Sequence, residues 1–306
     1  MHISDVYLCK NRQIQLTKNG KEYASLVFQD KTGTIDAKAW DLASPGIEHV
    51  EALDYVAIEA DVTSFNNALQ LNVKRMRRAD EGEYIPGDYL PVSSRNIDEM
   101  YEELLVYVSN VHNKYLHALL QNFFVNDPEL QKRFKFSSAA KTVHHGFVGG
   151  LLEHTLGVVG FCAYMTQHYP CLKKDLLITA ALCHDIGKTV EITPFPHNDY
   201  SDDGQLLGHI FIGARMVAEQ AEKIEGFPPK LASELEHCIL AHHGELEFGS
   251  PKKPALAEAF ALHLADDADS RLEIIKELFA ATPDNTDWIG FNRFLDSNIR
   301  KTGMGN

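Results

Sequence analysis

Positive charge is in short supply in this chain. Its 306 residues carry 29 Lys and Arg against 43 Asp and Glu, for a formal net charge of −14. Taken over the whole chain, that surplus argues against indiscriminate nucleic-acid binding. Cysteine is also sparse: Cys9, Cys162, Cys171, Cys183 and Cys238 are odd in number, scattered, and form no CxxC. Neither a disulfide framework nor a thiolate zinc site is therefore expected, and a reducing cytoplasm suits the chain. Long uncharged apolar runs are missing as well. The most apolar window, 146–165, has Glu153 and His154 at its centre, a costly pair in lipid. It reads as a buried helix, and no membrane partner is expected. Met1-His2-Ile3-Ser4-Asp5 is polar and leads into no apolar stretch, so no signal pattern is present and a cytoplasmic location is the expectation. Repeats and low-complexity segments do not occur. A composition of 44% hydrophobic and 24% charged residues is that of a soluble globular chain, long enough for two domains.

The acidic charge is unevenly spread. Ten Lys and Arg nearly balance eleven Asp and Glu over residues 1–80, leaving that region near −1 and the rest near −13. Residues 1–80 alternate as strands do. Ala24, Leu26 and Phe28 fall on one side of a strand that follows an Asn19-Gly20 turn, and Ile35, Ala37 and Ala39 fall on one side of the next. Further strands at 6–16, 55–62 and 69–76 make five short strands, which predicts a small Greek-key barrel of the OB type. Residues 81–95 carry Pro and Gly without periodicity and read as a linker. From Ile97 onward the spacing is helical. Asp127-Pro128 marks a helix start, and helices are expected over 150–168, 173–184, 207–224, 229–242 and 255–280. The fold class is thus α+β multidomain: residues 1–80 an OB-type barrel, 81–95 a linker, and 96–306 an all-α domain.

Within the helical region, His184-Asp185 ends an apolar stretch just before Gly187, a helix-stop signal. His154 lies upstream, and His209, His242-His243 and Asp266 lie downstream. Each falls in or at the end of a predicted helix, and helices converging on one point hold ligands rigidly. Imidazole and carboxylate donors suit divalent Mn, Fe, Ni, Co or Zn. Any one of these histidines alone reads as a hydrogen-bonded core residue. Asp266, Asp267 and Asp269 alone read as a solvated helix face, although His263, Asp266 and Asp269 fall on nearly one face. The ordered set H…HD…H…HH…D favours metal. Lys188, three residues after Asp185, is either a cation facing the same site or a helix-end lysine on free carbonyls.

The chain resembles the HD superfamily of metal-dependent phosphohydrolases and, more closely, the YhaM family of 3′–5′ exoribonucleases, which join an OB domain to an HD domain. The barrel part of the match is Asn19-Gly20-Lys21 with the run from Phe28 to Asp41. The helical part takes in Ala139-Ala140-Lys141, the run from His144 to His154, His184-Asp185-Ile186-Gly187-Lys188, and Gly204-Gln205-Leu206-Leu207-Gly208-His209. It ends with His242-His243-Gly244-Glu245-Leu246-Glu247-Phe248-Gly249-Ser250-Pro251 and Asp266. The resemblance implies two divalent metal ions, manganese (Mn2+) first, with Fe, Ni, Co or Zn as alternatives. One ion would take His154, His184, Asp185 and Asp266; the second would share Asp185 and take His209, His242 and His243. A single ion on the first set stays open. It also implies cleavage of the terminal phosphodiester at the 3′ end of single-stranded RNA, or of single-stranded DNA, releasing nucleoside 5′-monophosphates. Asp185 and Lys188 are then the catalytic expectation, and a homo-oligomer is suggested.

Lys141, His144 and His145 are candidates for substrate phosphates, with capping or surface roles as the alternative. On the barrel, Tyr23 and Trp40 share the outward side of their strands, Phe65 sits in the loop between the last two strands, and Lys74 and Arg75 supply charge. These five form the expected single-strand grip, unless Trp40 only closes the barrel end and the basic pair is merely solvated. Two other functions compete: a small-nucleotide HD phosphohydrolase and a non-catalytic single-strand binder. The Gly-Tyr-Pro of cyclic-dinucleotide phosphodiesterases is missing after the double His, where Phe248-Gly249-Ser250-Pro251 stands.

Overall fold

Alternation along the first strands becomes an inside and an outside. The computed structural model describes residues 1–65, 68–141, 145–283 and 286–303, and the chain forms two compact units, Met1–Val92 and Ser93–Asn306. In the first unit, strands β1 (His2–Leu16), β2 (Glu22–Asp30), β3 (Gly33–Ala39), β4 (Tyr55–Phe65) and β5 (Ala68–Arg78) close a barrel in the order β1-β2-β3-β5-β4. The β3–β5 pair is parallel and the other pairs are antiparallel, so the expected OB-type barrel is present. Its core is built from the inward residues: Ala24, Leu26 and Phe28 of β2, Ala37 and Ala39 of β3, Val56, Ile58 and Ala60 of β4, and Leu71, Val73 and Met76 of β5. A register shift between Glu59 and Ala60 interrupts the β4–β5 ladder. Opposite it, the neighbours Lys74 and Arg75 both face solvent, as a bulge permits and a regular strand does not.

The stretch 81–92, read from sequence as part of a linker, groups with the barrel. Tyr84 stacks on Tyr55 with ring centroids 3.8 Å apart. Glu83 accepts two 2.7 Å bonds from Arg77, and Gln29 donates to the Tyr89 carbonyl at 2.8 Å. Missing periodicity here marks irregular but packed chain.

The second unit contains α1 (Ile97–Ser109), α2 (Lys114–Phe124), α3 (Pro128–Phe136), α4 (Gly150–His168), α5 (Lys174–Cys183), the single turn α6 (Lys188–Glu191), α7 (Asp202–Glu222), α8 (Pro229–Leu240) and α9 (Ala257–Ala281). Asn96, Asn113 and Asp127 cap the first three helices through side-chain oxygens. Every residue of α5 from Leu176 to Cys183 is buried, as is most of α4. That explains the apolar window at 146–165: a helix apolar on all sides is an inner helix. Glu153 in that window is satisfied by Ser93 Oγ at 2.6 Å and Lys276 Nζ at 3.2 Å. Among the described residues, no helix is long and apolar enough to cross a membrane. The all-α reading missed a small hairpin, β6 (Trp288–Asn292) with β7 (Ser297–Arg300), at the end of the chain.

Candidate metal centre

The inner helices α4 and α5, with α7, α8 and α9 around them, bring seven side chains to one point. His154 comes from the second turn of α4, His184-Asp185 from the end of α5, and Asp266 from α9. His242-His243 lie just past the end of α8. His209 follows Gly208, whose non-helical backbone (φ 73, ψ 153) splits α7 into two segments, so His209 opens the second. Gly187 differs from the sequence expectation. Its backbone is helical (φ −62, ψ −23), so it is no left-handed stop. A Cβ there would lie 2.1 Å from the His209 carbonyl oxygen. Gly187 is what lets α7 approach the His184-Asp185 turn.

Asp185 sits between two groups of imidazoles. Its Oδ2 is 3.5 Å from His154 Nε2 and 3.4 Å from His184 Nε2, and its Oδ1 is 3.5 Å from His209 Nε2 and 3.7 Å from His242 Nε2. Asp266 Oδ1 lies 3.2 Å from His154 Nε2. Ligand-type atoms of His154, His184 and Asp185 fall within 4.8 Å of one another, as do those of His209, His242 and His243.

Each of the five imidazoles uses Nδ1 to face away from this point. His184, His242 and His243 place Nδ1 on the carbonyls of Ala181, Ile239 and Phe248 at 2.8, 2.7 and 2.8 Å. His154 Nδ1 meets Asp269 Oδ2 at 2.7 Å, and His209 Nδ1 meets Glu191 Oε1 at 3.0 Å. Such outward bonds fix the tautomer and leave Nε2 as a lone-pair donor. Asp185 Oδ1, His209 Nε2 and His242 Nε2 are buried without a hydrogen-bond partner. A buried polar atom left so costs about 1–3 kcal/mol, which a cation would offset. The residues therefore fit a divalent metal, and the donor set is of the kind such ions take.

The electrostatics agree. Burial opposes charge on Asp185, but Lys188 and the histidines outweigh it and hold the carboxyl well below its ordinary range. Burial, the largest influence on each, lowers His184, His242 and His243, favouring the neutral ligand form. At His154 burial is overcome by Asp266 and Asp269, and the imidazole is pushed up to about 9. That marks a local excess of negative charge. Lys188 is kept charged against burial by Asp185, whose Oδ2 it meets at 2.6 Å.

Asp269 and Glu191 were not among the expected site residues. Asp269 did carry a signal, three residues beyond Asp266 on nearly the same face. It reaches His154 because Gly157 of α4 has no side chain: a Cβ there would lie 1.9 Å from Asp269 Oδ1. Glu191 carried none. The phosphate-contact candidates divide. Lys141 is paired with Asp199 at 2.6 Å, and His144 lies outside the described residues. His145 departs from expectation. It is buried, with Nε2 3.1 Å from Asp269 Oδ2, and so belongs behind His154.

A cleft of about 440 Å³ adjoins the cluster, lined in part by Lys188, Tyr200, His209, His243, Phe248 and Asp266. That volume suits a small ligand or a chain end. On the barrel, Tyr23 and Trp40 stack with centroids 4.7 Å apart. Trp40 and Phe65 are 45% and 65% exposed, so Trp40 does not plug the barrel. Lys74 and Arg75 face Asp61 and Glu59, each at 3.7 Å. A larger hollow, about 540 Å³, lies on the barrel unit. Arg77 and Glu83, which pair with each other, are among the residues that line it.

A family profile described as HD domain matches residues 151–271, a span that contains all seven clustered residues. A protein named 3′–5′ exoribonuclease YhaM, from Geobacillus sp. (strain WCH70), is 33% identical over 274 residues, covering 89% of this chain and 83% of its own length. Among solved structures, the second OB-fold domain of replication protein A from Methanococcus maripaludis aligns with 26% of this chain and 81% of its own. Its identity is 18% and its TM-score 0.19, a likeness too slight to carry weight. Full-length similarity to the Geobacillus protein, together with the HD match, shows that this chain belongs to the YhaM family of 3′–5′ exoribonucleases.

Proposed function

We infer that the chain is a metal-dependent 3′–5′ exonuclease that removes nucleoside 5′-monophosphates from the 3′ end of single-stranded RNA, with single-stranded DNA as a second substrate. The observation that carries this reading is Asp185. One of its oxygens faces His154 and His184 and the other faces His209 and His242, which supports a carboxylate bridging two ions. His154, His184, Asp185 and Asp266 would hold one ion, and Asp185, His209, His242 and His243 the other. Manganese is the ion proposed first. When bound, two such ions supply a nucleophile at neutral pH and charge stabilisation for the phosphate.

The chain's own groups set up the rest. Asp269 and Glu191 hold His154 and His209 in the tautomer that presents Nε2. Lys188, ionised and lining the cleft, is the cation placed to meet negative charge growing on phosphoryl oxygens. Exposed Trp40 and Phe65 suit base stacking and tolerate any sequence, while Lys74 and Arg75 contribute charge to the same grip. The five cysteines are free, in keeping with a reducing cytoplasm.

End-labelled RNA incubated with the protein and Mn2+ tests the reading. Stepwise release of mononucleotides from the 3′ end is expected. Binding without cleavage would leave the chain a single-strand binder, and hydrolysis of free nucleotides alone would make it a small-molecule hydrolase.

A further inference from the structure

Two aromatic rings border the cleft without any part in holding metal. Tyr200 is 45% exposed and Phe248 is 63% exposed, so core packing does not account for them. Both line the same cleft as Lys188, His209, His243 and Asp266. Their backbones, by contrast, are fastened to the ligand-bearing segments. The Phe248 carbonyl accepts the bond from His243 Nδ1 at 2.8 Å, and the chain then turns at Gly249 with φ 89. Tyr200 bridges to Ile192. The next residue, Ser201, donates its N–H to the Glu191 carbonyl at 2.8 Å, and the Glu191 side chain orients His209. The backbone of each ring is thus fastened to residues that orient an imidazole of the cluster. Lys141 Nζ lies 5.9 Å from the centroid of the Tyr200 ring, and the exposure of both rings leaves aromatic surface open on the cleft they line.

Rings with fixed backbones and open faces beside a phosphate-directed site are what a nucleobase stacks on. A terminal phosphodiester at the cluster carries its base one sugar away, and the two rings line the same cleft as the cluster. We propose that Tyr200 and Phe248 form the nucleobase platform of the cleft, gripping the base of the 3′-terminal nucleotide without reading its identity. Stacking tolerates all four bases, because each presents a π face. The proposal rests on the exonuclease reading above and adds to it the groups that position the substrate end.

The test pairs a change in the protein with a change in the RNA. Single-stranded RNA with an ordinary 3′-terminal nucleotide is compared with the same RNA whose last nucleotide lacks its base. The wild-type chain is compared with Tyr200→Leu/Phe248→Leu, which keeps apolar bulk and removes the aromatic faces. Loss of the base is expected to lower kcat/KM for the wild type by about tenfold or more. The Leu variant should lose a similar factor on ordinary RNA and nothing further on the baseless end. Tyr200→Phe/Phe248→Tyr should keep the wild-type preference. Equal fold-losses on both RNAs would make the rings structural and overturn the proposal, as would full activity of the Leu variant on ordinary RNA. A wild-type chain that releases nucleotide from neither RNA would defeat the exonuclease reading, and the platform with it.

Discussion

The helical unit and the barrel hold their candidate groups in opposite ways. In the helical unit, His154, His184, Asp185 and His242 are all buried. Three ligand atoms there lack any hydrogen-bond partner, while the far side of every imidazole is fixed. In the barrel, Trp40 and Phe65 are open to solvent, Trp40 already stacks on Tyr23, and Lys74 and Arg75 face carboxylates. The contrast fits the two tasks proposed for the units. Metal chemistry needs donors desolvated and oriented beforehand, and each loss is felt in full. Gripping a flexible strand uses many exposed contacts, each weakened by water and salt.

Substitutions can break or sharpen that contrast. The largest effect is expected from Asp185→Ala, which removes both oxygens of the proposed bridge. Release of nucleotides from labelled RNA should fall by at least about 10³-fold, since metal ions stabilise such transition states by several kcal/mol. Gly187→Ala comes next. Its Cβ would collide with the His209 carbonyl and push α7 away, and a displacement of that order costs about 10²-fold in rate. Denaturant titration should show the same variant destabilised by about 1–3 kcal/mol. Asp269→Asn leaves the metal-facing atoms in place and disturbs the support behind them, the contacts of Asp269 with His154 Nδ1 and His145 Nε2. Metal affinity should fall about 10- to 100-fold, as titration calorimetry would report. The smallest effect belongs to the barrel: Trp40→Ala should weaken single-stranded RNA binding by about tenfold with metal content unchanged. A Trp40→Ala loss as large as that of Asp185→Ala would erase the contrast between the units.

Much of this arrangement was legible in the sequence, for identifiable reasons. Alternation at Ala24, Leu26 and Phe28 exposed the barrel because one face of each strand is buried. The helix start at Asp127-Pro128 followed from backbone chemistry, whereas α7 begins at Asp202, before the expected 207, and breaks at Gly208. The order of His154, His184-Asp185, His209, His242-His243 and Asp266 outlined the cluster because all but Asp266, which lies within α9, sit at a helix end or break or on an inner helix. Contacts across long sequence separations were not legible. Asp269 meets His154 115 residues away, and only the close α4–α9 approach at Gly157 brings them together. Glu191 reads as an ordinary surface residue until α7 folds back over α6. His145 looked like a substrate contact because burial of a loop histidine leaves no local mark, and the β6–β7 hairpin is too short to show periodicity.

The central claim is that Asp185 bridges two ions. Elemental analysis of the purified chain after saturation with Mn2+ and removal of free metal tests it most directly. Two ions per wild-type chain are expected, with a marked loss from Asp185→Ala. One ion per chain, or a metal content indifferent to Asp185, would contradict it.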